Sequence, residues 1–239
     1  MKNLFDTTTQ FDNITYIDEN HSYWLGEERL VSVTQYLSKF KQPFDTDRWS
    51  KHSAKKEGVS QQTIMERWDA KGKASLEKGT IVHNAAEMII KGQDINLEGM
   101  PNEVKAAKNL WDHLKQKYNA TTLKTEWVIG DARAKVAGRI DALIQLEYDG
   151  KIVTSLLDWK TGTVKLDNKY EKMKSPFNGL EDCSLNHYSI QLSLYRLILE
   201  LNLNIKLSHG ILINLPESGP AKIIKSRDYR PILENLLFS

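Results

Sequence analysis

The run Gly138-Arg139-Ile140-Asp141, answered downstream by Leu156-Leu157-Asp158-Trp159-Lys160-Thr161-Gly162, decides how the chain is read. Between the two lies Tyr148-Asp149-Gly150-Lys151. An Asp-Gly step between β-rich runs is a strong hairpin signal, so Ala134 to Leu146 and Ile152 to Trp159 are expected as neighbouring strands. Side chains two apart on a strand share a face. Asp158 and Lys160 therefore project together while Trp159 points the other way, and Asp141 reaches the same spot from the adjacent strand. Two carboxylates and an ammonium converge. Carboxylate oxygens suit a hard cation such as Mg²⁺ or Mn²⁺, which polarises a phosphodiester and lowers the pKa of a bound water. The lysine is placed to orient that water or to offset charge developing on phosphate.

The same residues admit a plainer reading, in which they are exposed strand charges and Lys160 pairs with a nearby aspartate. Short motifs of this kind recur by chance. The apolar runs Ile152-Val153 and Leu156-Leu157 argue against it, because they mark a buried strand, where unpaired charge is expensive.

Working outward, Leu123 to Ile129 reads as a strand before this pair. Glu126 within it is either a further acidic site residue or a solvent-facing strand carboxylate, and it stays outside the core set. Upstream, Glu77 to Lys91 has the spacing of an amphipathic helix, with Ile81, Ala85, Met88 and Ile89 as its apolar positions and Gly92 as its end. Pro101 opens a second helix through Tyr118, striped by Val104, Ala107, Leu110, Trp111 and Leu114. Ile14 to Val31 suggests a small β-ribbon, and Ser32-Val33-Thr34 begins a helix. Between Lys39 and Lys78 the text is polar, basic and carries Trp49 and Trp68, with no long apolar face, as in a helical flap over a cleft. Downstream, turn formers in Lys165 to Leu185 make a loop, followed by a helix from His187 to Leu201, a strand at His209 to Leu215, a last strand at Ala221 to Lys225 and a short helix.

Composition bounds the rest. The 239 residues are 40% hydrophobic and 27% charged, which suits a soluble globular chain with a sizeable core. A net charge of +2 permits a basic groove without requiring one. The single cysteine, Cys183, excludes an internal disulfide and a four-cysteine metal or iron–sulfur site, and it is compatible with a reducing, cytoplasmic setting. The N-terminus lacks an apolar signal core and no apolar run is long enough to span a membrane.

The stretch resembles the PD-(D/E)XK nuclease superfamily, in particular its RecB-like exonuclease branch. Gly79-Thr80-Ile81-Val82-His83-Asn84-Ala85-Ala86-Glu87 is similar to the branch's Gly-x-x-x-His-x-x-x-Glu helix, and Gln191-Leu192-Ser193-Leu194-Tyr195 to its Gln-x-x-x-Tyr motif. The order and spacing of the pieces agree, and they span about half the chain. Asn20-His21-Ser22-Tyr23-Trp24 and Ser32-Val33-Thr34 look like the entry segment of small phage members, and the layout is similar to that of the mitochondrial genome maintenance exonucleases. His83 and Glu87 are four apart, hence on one helical face, and so are Gln191 and Tyr195.

The resemblance implies an α/β fold: a restriction-endonuclease-like core with a mixed central β-sheet flanked by helices, plus an N-terminal β-ribbon and helical insert. It divides the chain into a ribbon and cover over 1–78, part of the same unit, and a nuclease core over 79–239. It implies Asp141, Asp158, Lys160 and Glu87 as catalytic residues, and His83, Asp141, Asp158 and the carbonyl of Trp159 as ligands for one or two Mg²⁺ or Mn²⁺ ions. Gln191 and Tyr195 would hold DNA. Glu87 has other tasks open to it: touching metal through water, holding a ligand, or pairing with Lys91. The expected activity is exonucleolytic hydrolysis from DNA ends in phage or bacterial recombination, repair or processing, with DNA and recombination or replication proteins as partners and no membrane. An endonuclease of defence type and a non-catalytic DNA-binding recombination module are the alternatives.

Overall fold

A computed structural model describes Phe5 and residues 8–238. Three strands open the chain: β1 (Ile14–Ile17), β2 (Ser22–Leu25) and β3 (Glu28–Ser32). Helices α1 (Val33–Ser38), α2 (Thr46–Glu57), α3 (Gln61–Ile90) and α4 (Asn102–Tyr118) follow. Then come β4 (Thr121–Asp131), β5 (Val136–Tyr148) and β6 (Lys151–Thr161), helix α5 (Ser184–Leu203), β7 (Ile211–Leu215), β8 (Lys222–Lys225) and α6 (Arg230–Leu237). The eight strands form one mixed, open sheet, with parallel pairs β3–β5 and β6–β7.

Local chemistry explains the joints. Asp149 and Gly150 take positive φ of 52° and 67°, the handedness a two-residue hairpin needs between twisted strands. Ser32 ends β3 and caps α1, accepting from the Gln35 amide at 3.1 Å. Asn119 and Gly92 provide the left-handed residues that follow α4 and α3.

Helices cover both faces of the sheet. On one face α3 and α4 bury Val82, Ala86, Val104 and Trp111 against Ala142, Ile144, Leu157 and Trp159. On the other, α5 buries Ile190, Leu194 and Ile198 against Ile129, Ile140, Leu143 and Leu156. The expected stripe of α3 is turned by one residue. Ile81 and Met88 are exposed, while Val82, Ala86 and Ile90 join Ala85 and Ile89 inside, because the turn carrying Gly79, Thr80, His83 and Asn84 faces a cleft instead of the core.

Helix α3 is also one element where the sequence showed two segments, so it runs unbroken past residue 78. Its 30 residues extend about 45 Å. Every position from Asp69 to Glu77 is exposed, which is why no apolar period marks the join. The N-terminal turns of α3 pack against α2, and the C-terminal turns against the sheet.

The sheet forks on β5. One edge of that strand is taken along most of its length by β4, from Val136 to Gln145. The opposite edge is shared: β3 pairs with Val136 and Ala137, and β6 pairs from Ala142 to Tyr148. Between the two branches, residues 138–141 have no strand partner on that side among the described residues.

Candidate functional site

A cleft of about 510 Å³ opens in this fork. Tyr16, His21 and Tyr23 of the ribbon line one side, and Gly79, Thr80 and His83 of α3 the other. Its floor is Glu126 of β4 with Gly138, Arg139 and Asp141 of β5, and α5 contributes Gln191 and Tyr195. Four separated sequence motifs thus meet in one concavity.

Glu126 and Asp141 come together through an irregularity in both strands. They fall opposite each other between the pairs Thr125–Ala142 and Trp127–Ile140. In a regular ladder both flanking pairs would face one layer. Here Thr125 donates to Glu87 on α3 and Ala142 packs in that helix's layer, whereas Trp127 and Ile140 pack in the α5 layer. The pleat reverses at Glu126 and Asp141, and Glu126 adopts φ +44°, a conformation uncommon for a residue with a side chain.

The outcome is a three-residue group. Ligand atoms of His83, Glu126 and Asp141 all lie within 4.8 Å of one another, with His83 Nδ1 at 3.5 Å from Asp141 Oδ2. One imidazole and two carboxylates form a donor set that could hold a metal ion. The electrostatics fit as well. Burial first and the adjacent Asp141 second push the Glu126 carboxyl up to about 7, against the pull of Arg139.

Asp158 and Lys160 sit beside this group. Lys160 Nζ lies 2.7 Å from Asp158 Oδ2, and both side chains are largely buried. Burial raises the Asp158 carboxyl above the usual range against the pull of Lys160. For Lys160, burial alone would favour the neutral amine, but Asp158 and Asp141 more than offset it and the ammonium is retained. Its Nζ also stands 4.7 Å from the centre of the Tyr188 ring. Asp158 is outside the three-residue group, engaged by the lysine two positions on.

The Trp159 amide donates to Asp141 Oδ2 at 2.8 Å. Because N–H and C=O of one strand residue point the same way, the Trp159 carbonyl faces the β5 side too, where the sequence placed it as a ligand. Its indole packs into the α3–α4 layer. Glu87 does not join the group. Its Oε1 is 2.6 Å from Lys91 Nζ and accepts from Thr125 at 3.1 Å, the pairing anticipated as one of its tasks.

Gln191 and Tyr195 do share a helical face and reach the cleft. Gln191 Nε2 donates to the Tyr195 hydroxyl at 3.2 Å, which leaves the phenol's own proton to donate onward. Burial raises the Tyr195 pKa strongly, so that proton is kept. The ring packs on Gly138, where an added Cβ would come 2.6 Å from Cε1. Of the basic and aromatic residues noted upstream, Lys78 is engaged by Glu103 at 2.6 Å, Lys73 by Asp69 at 2.9 Å, and Trp68 packs edge-on to Phe44.

Glu126 is the residue the motifs left outside. Its position opposite Asp141 depends on strand register and on a positive φ, neither of which a lone glutamate in a β-rich run discloses. No protein-family model and no curated protein matches the chain. Among the described residues no helix is long and apolar enough to cross a membrane.

Proposed function

We propose that this protein is a metal-dependent deoxyribonuclease with a restriction-endonuclease-like core, acting on DNA ends. The observation that carries this reading is the gathering of His83, Glu126 and Asp141 within 4.8 Å, next to a buried Asp158–Lys160 pair in the fork of the sheet. His83, Glu126 and Asp141 are the residues that would hold one or two Mg²⁺ or Mn²⁺ ions, which would supply Lewis-acid charge for phosphodiester hydrolysis, with Asp158 and the Trp159 carbonyl as further candidate ligands.

The chain's own groups do the rest. Lys160, kept protonated by Asp158 and Asp141, offsets charge developing on the phosphate. Asp158 holds that ammonium in place. Tyr195, fixed by Gln191 and by Gly138 beneath it, donates a hydrogen bond to a non-bridging phosphate oxygen and sets the strand's position. The cleft, walled by the ribbon and α3, is where the DNA strand would lie.

The test uses end-labelled linear DNA and closed circular DNA with Mg²⁺ or Mn²⁺. Degradation of the linear form alone is expected, abolished by EDTA, by Asp141→Asn and by Lys160→Ala. Cleavage of the circle would reassign the protein as an endonuclease. Unchanged degradation by both variants would remove the site from the reaction.

A further inference from the structure

Arg139 precedes Asp141 by two residues on β5 and lines the same cleft. Its Nε is 2.7 Å from Glu126 Oε2, its guanidinium carbon is 4.7 Å from the centre of the Tyr16 ring, and Nη1 is 3.8 Å from the well-exposed Asp18. Glu126 is therefore claimed twice. Without a cation, the guanidinium compensates its charge. A divalent cation on Glu126, His83 and Asp141 puts two positive charges beside that guanidinium and withdraws the carboxylate's attraction for it. The Asp18 contact is too long and too solvated to hold the arginine alone. Tyr16 offers its ring face as a resting place that does not depend on the carboxylate.

We infer that Arg139 is a substrate-binding residue released by metal: it pairs with Glu126, and cation binding to that carboxylate frees it to grip a backbone phosphate of the DNA strand in the cleft. The residue's position suits this. It is about 7 Å along β5 from Asp141, so its fork of donors reaches a phosphate neighbouring the one at the metal. Metal and DNA then assist each other's binding through one side chain, and by linkage the assistance is mutual. This rests on the proposed function, since it requires the three-residue group to bind a cation.

The test reads binding, not turnover. Free Mn²⁺ is followed by electron paramagnetic resonance in the parent protein and in Arg139→Gln, without DNA. Arg139→Gln should bind Mn²⁺ about fivefold more tightly, because a competing cation is gone. Arg139→Lys, which retains the charge, should behave as the parent does. Fluorescence anisotropy of a labelled single-stranded oligonucleotide is then measured in a Lys160→Gln background, with Mn²⁺ or EDTA. Mn²⁺ should tighten binding about tenfold. Adding Arg139→Gln should remove most of that gain, leaving only what the metal contributes by its own phosphate contact, and flatten the salt dependence by about one phosphate contact. Unchanged or weaker Mn²⁺ affinity in Arg139→Gln, or an equal Mn²⁺-dependent gain with and without Arg139, overturns the inference. If His83→Ala binds Mn²⁺ as well as the parent does, the metal site fails and the inference with it. If His83→Ala loses Mn²⁺ while Arg139→Gln is unaltered, only the arginine's role is lost.

Discussion

The ring of Tyr195 lies directly over Gly138, so close that a methyl group on that glycine would meet Cε1 at 2.6 Å and the hydroxyl oxygen at 2.9 Å. A residue of the sheet and a residue of α5 thus fix each other's identity across the cleft. Gly138→Ala is expected to push the phenol out of place at a cost of about 1–3 kcal/mol in urea denaturation. DNA affinity, read by anisotropy, should fall with it. Tyr195→Phe separates the two effects. It should hold stability within about 1 kcal/mol and still lose DNA affinity several-fold, because the ring stays and only the hydroxyl, with its bond from Gln191, is removed. Equal DNA binding by parent and Tyr195→Phe would deny the hydroxyl its contact.

The Asp158–Lys160 pair makes a different prediction. Lys160→Ala leaves a carboxylate that is only 4% exposed without its counter-charge, and should cost about 3 kcal/mol. Asp158→Asn combined with Lys160→Met removes both charges and should recover most of that loss. Both proteins should be inactive. Denaturation midpoints together with a nuclease assay check this, and a double variant no more stable than Lys160→Ala would show that the pair's desolvation is not what matters.

Acid stability has a local contributor far from the cleft. Bidentate hydrogen bonds from Arg230, foremost among its partners, hold the Asp228 carboxyl down to about 2. A folded-state pKa below the unfolded value gives stability that is present above about pH 4 and lost as pH falls toward 2. Asp228 is partly solvated, so its contribution is about 1 kcal/mol after screening. Asp228→Asn should therefore be less stable than the parent at pH 7, with the gap closing by about pH 2. A gap that persists at low pH would assign the effect to packing of α6 instead of charge.

Much of the architecture was legible because its signals are local. Asp149-Gly150 announces a hairpin by the φ values it tolerates, Ser32 announces a helix by capping it, and the i, i+4 pairs His83–Glu87 and Gln191–Tyr195 follow from helical pitch. The site's composition was harder to read. Glu126 joins His83 and Asp141 only because two strands reverse their pleat at the same level, a property of register that no single segment carries. Glu87 shares a face with His83, yet one turn further along the helix it finds Lys91 and Thr125. The continuous α3 was hidden for another reason: a helix surrounded by water over Asp69 to Glu77 has no need of an apolar stripe there.

The shared edge of β5 has a further consequence. Unpaired strand edges invite pairing with other chains, and proteins usually shield them at the rim of a sheet. Here residues 138–141 form an edge within the sheet, only four residues long and bracketed by β3 and β6. A foreign strand finds no length along which to dock, and the Tyr195 ring packs over the gap at Gly138. The fork therefore interrupts the pairing of the sheet without giving it an adhesive edge.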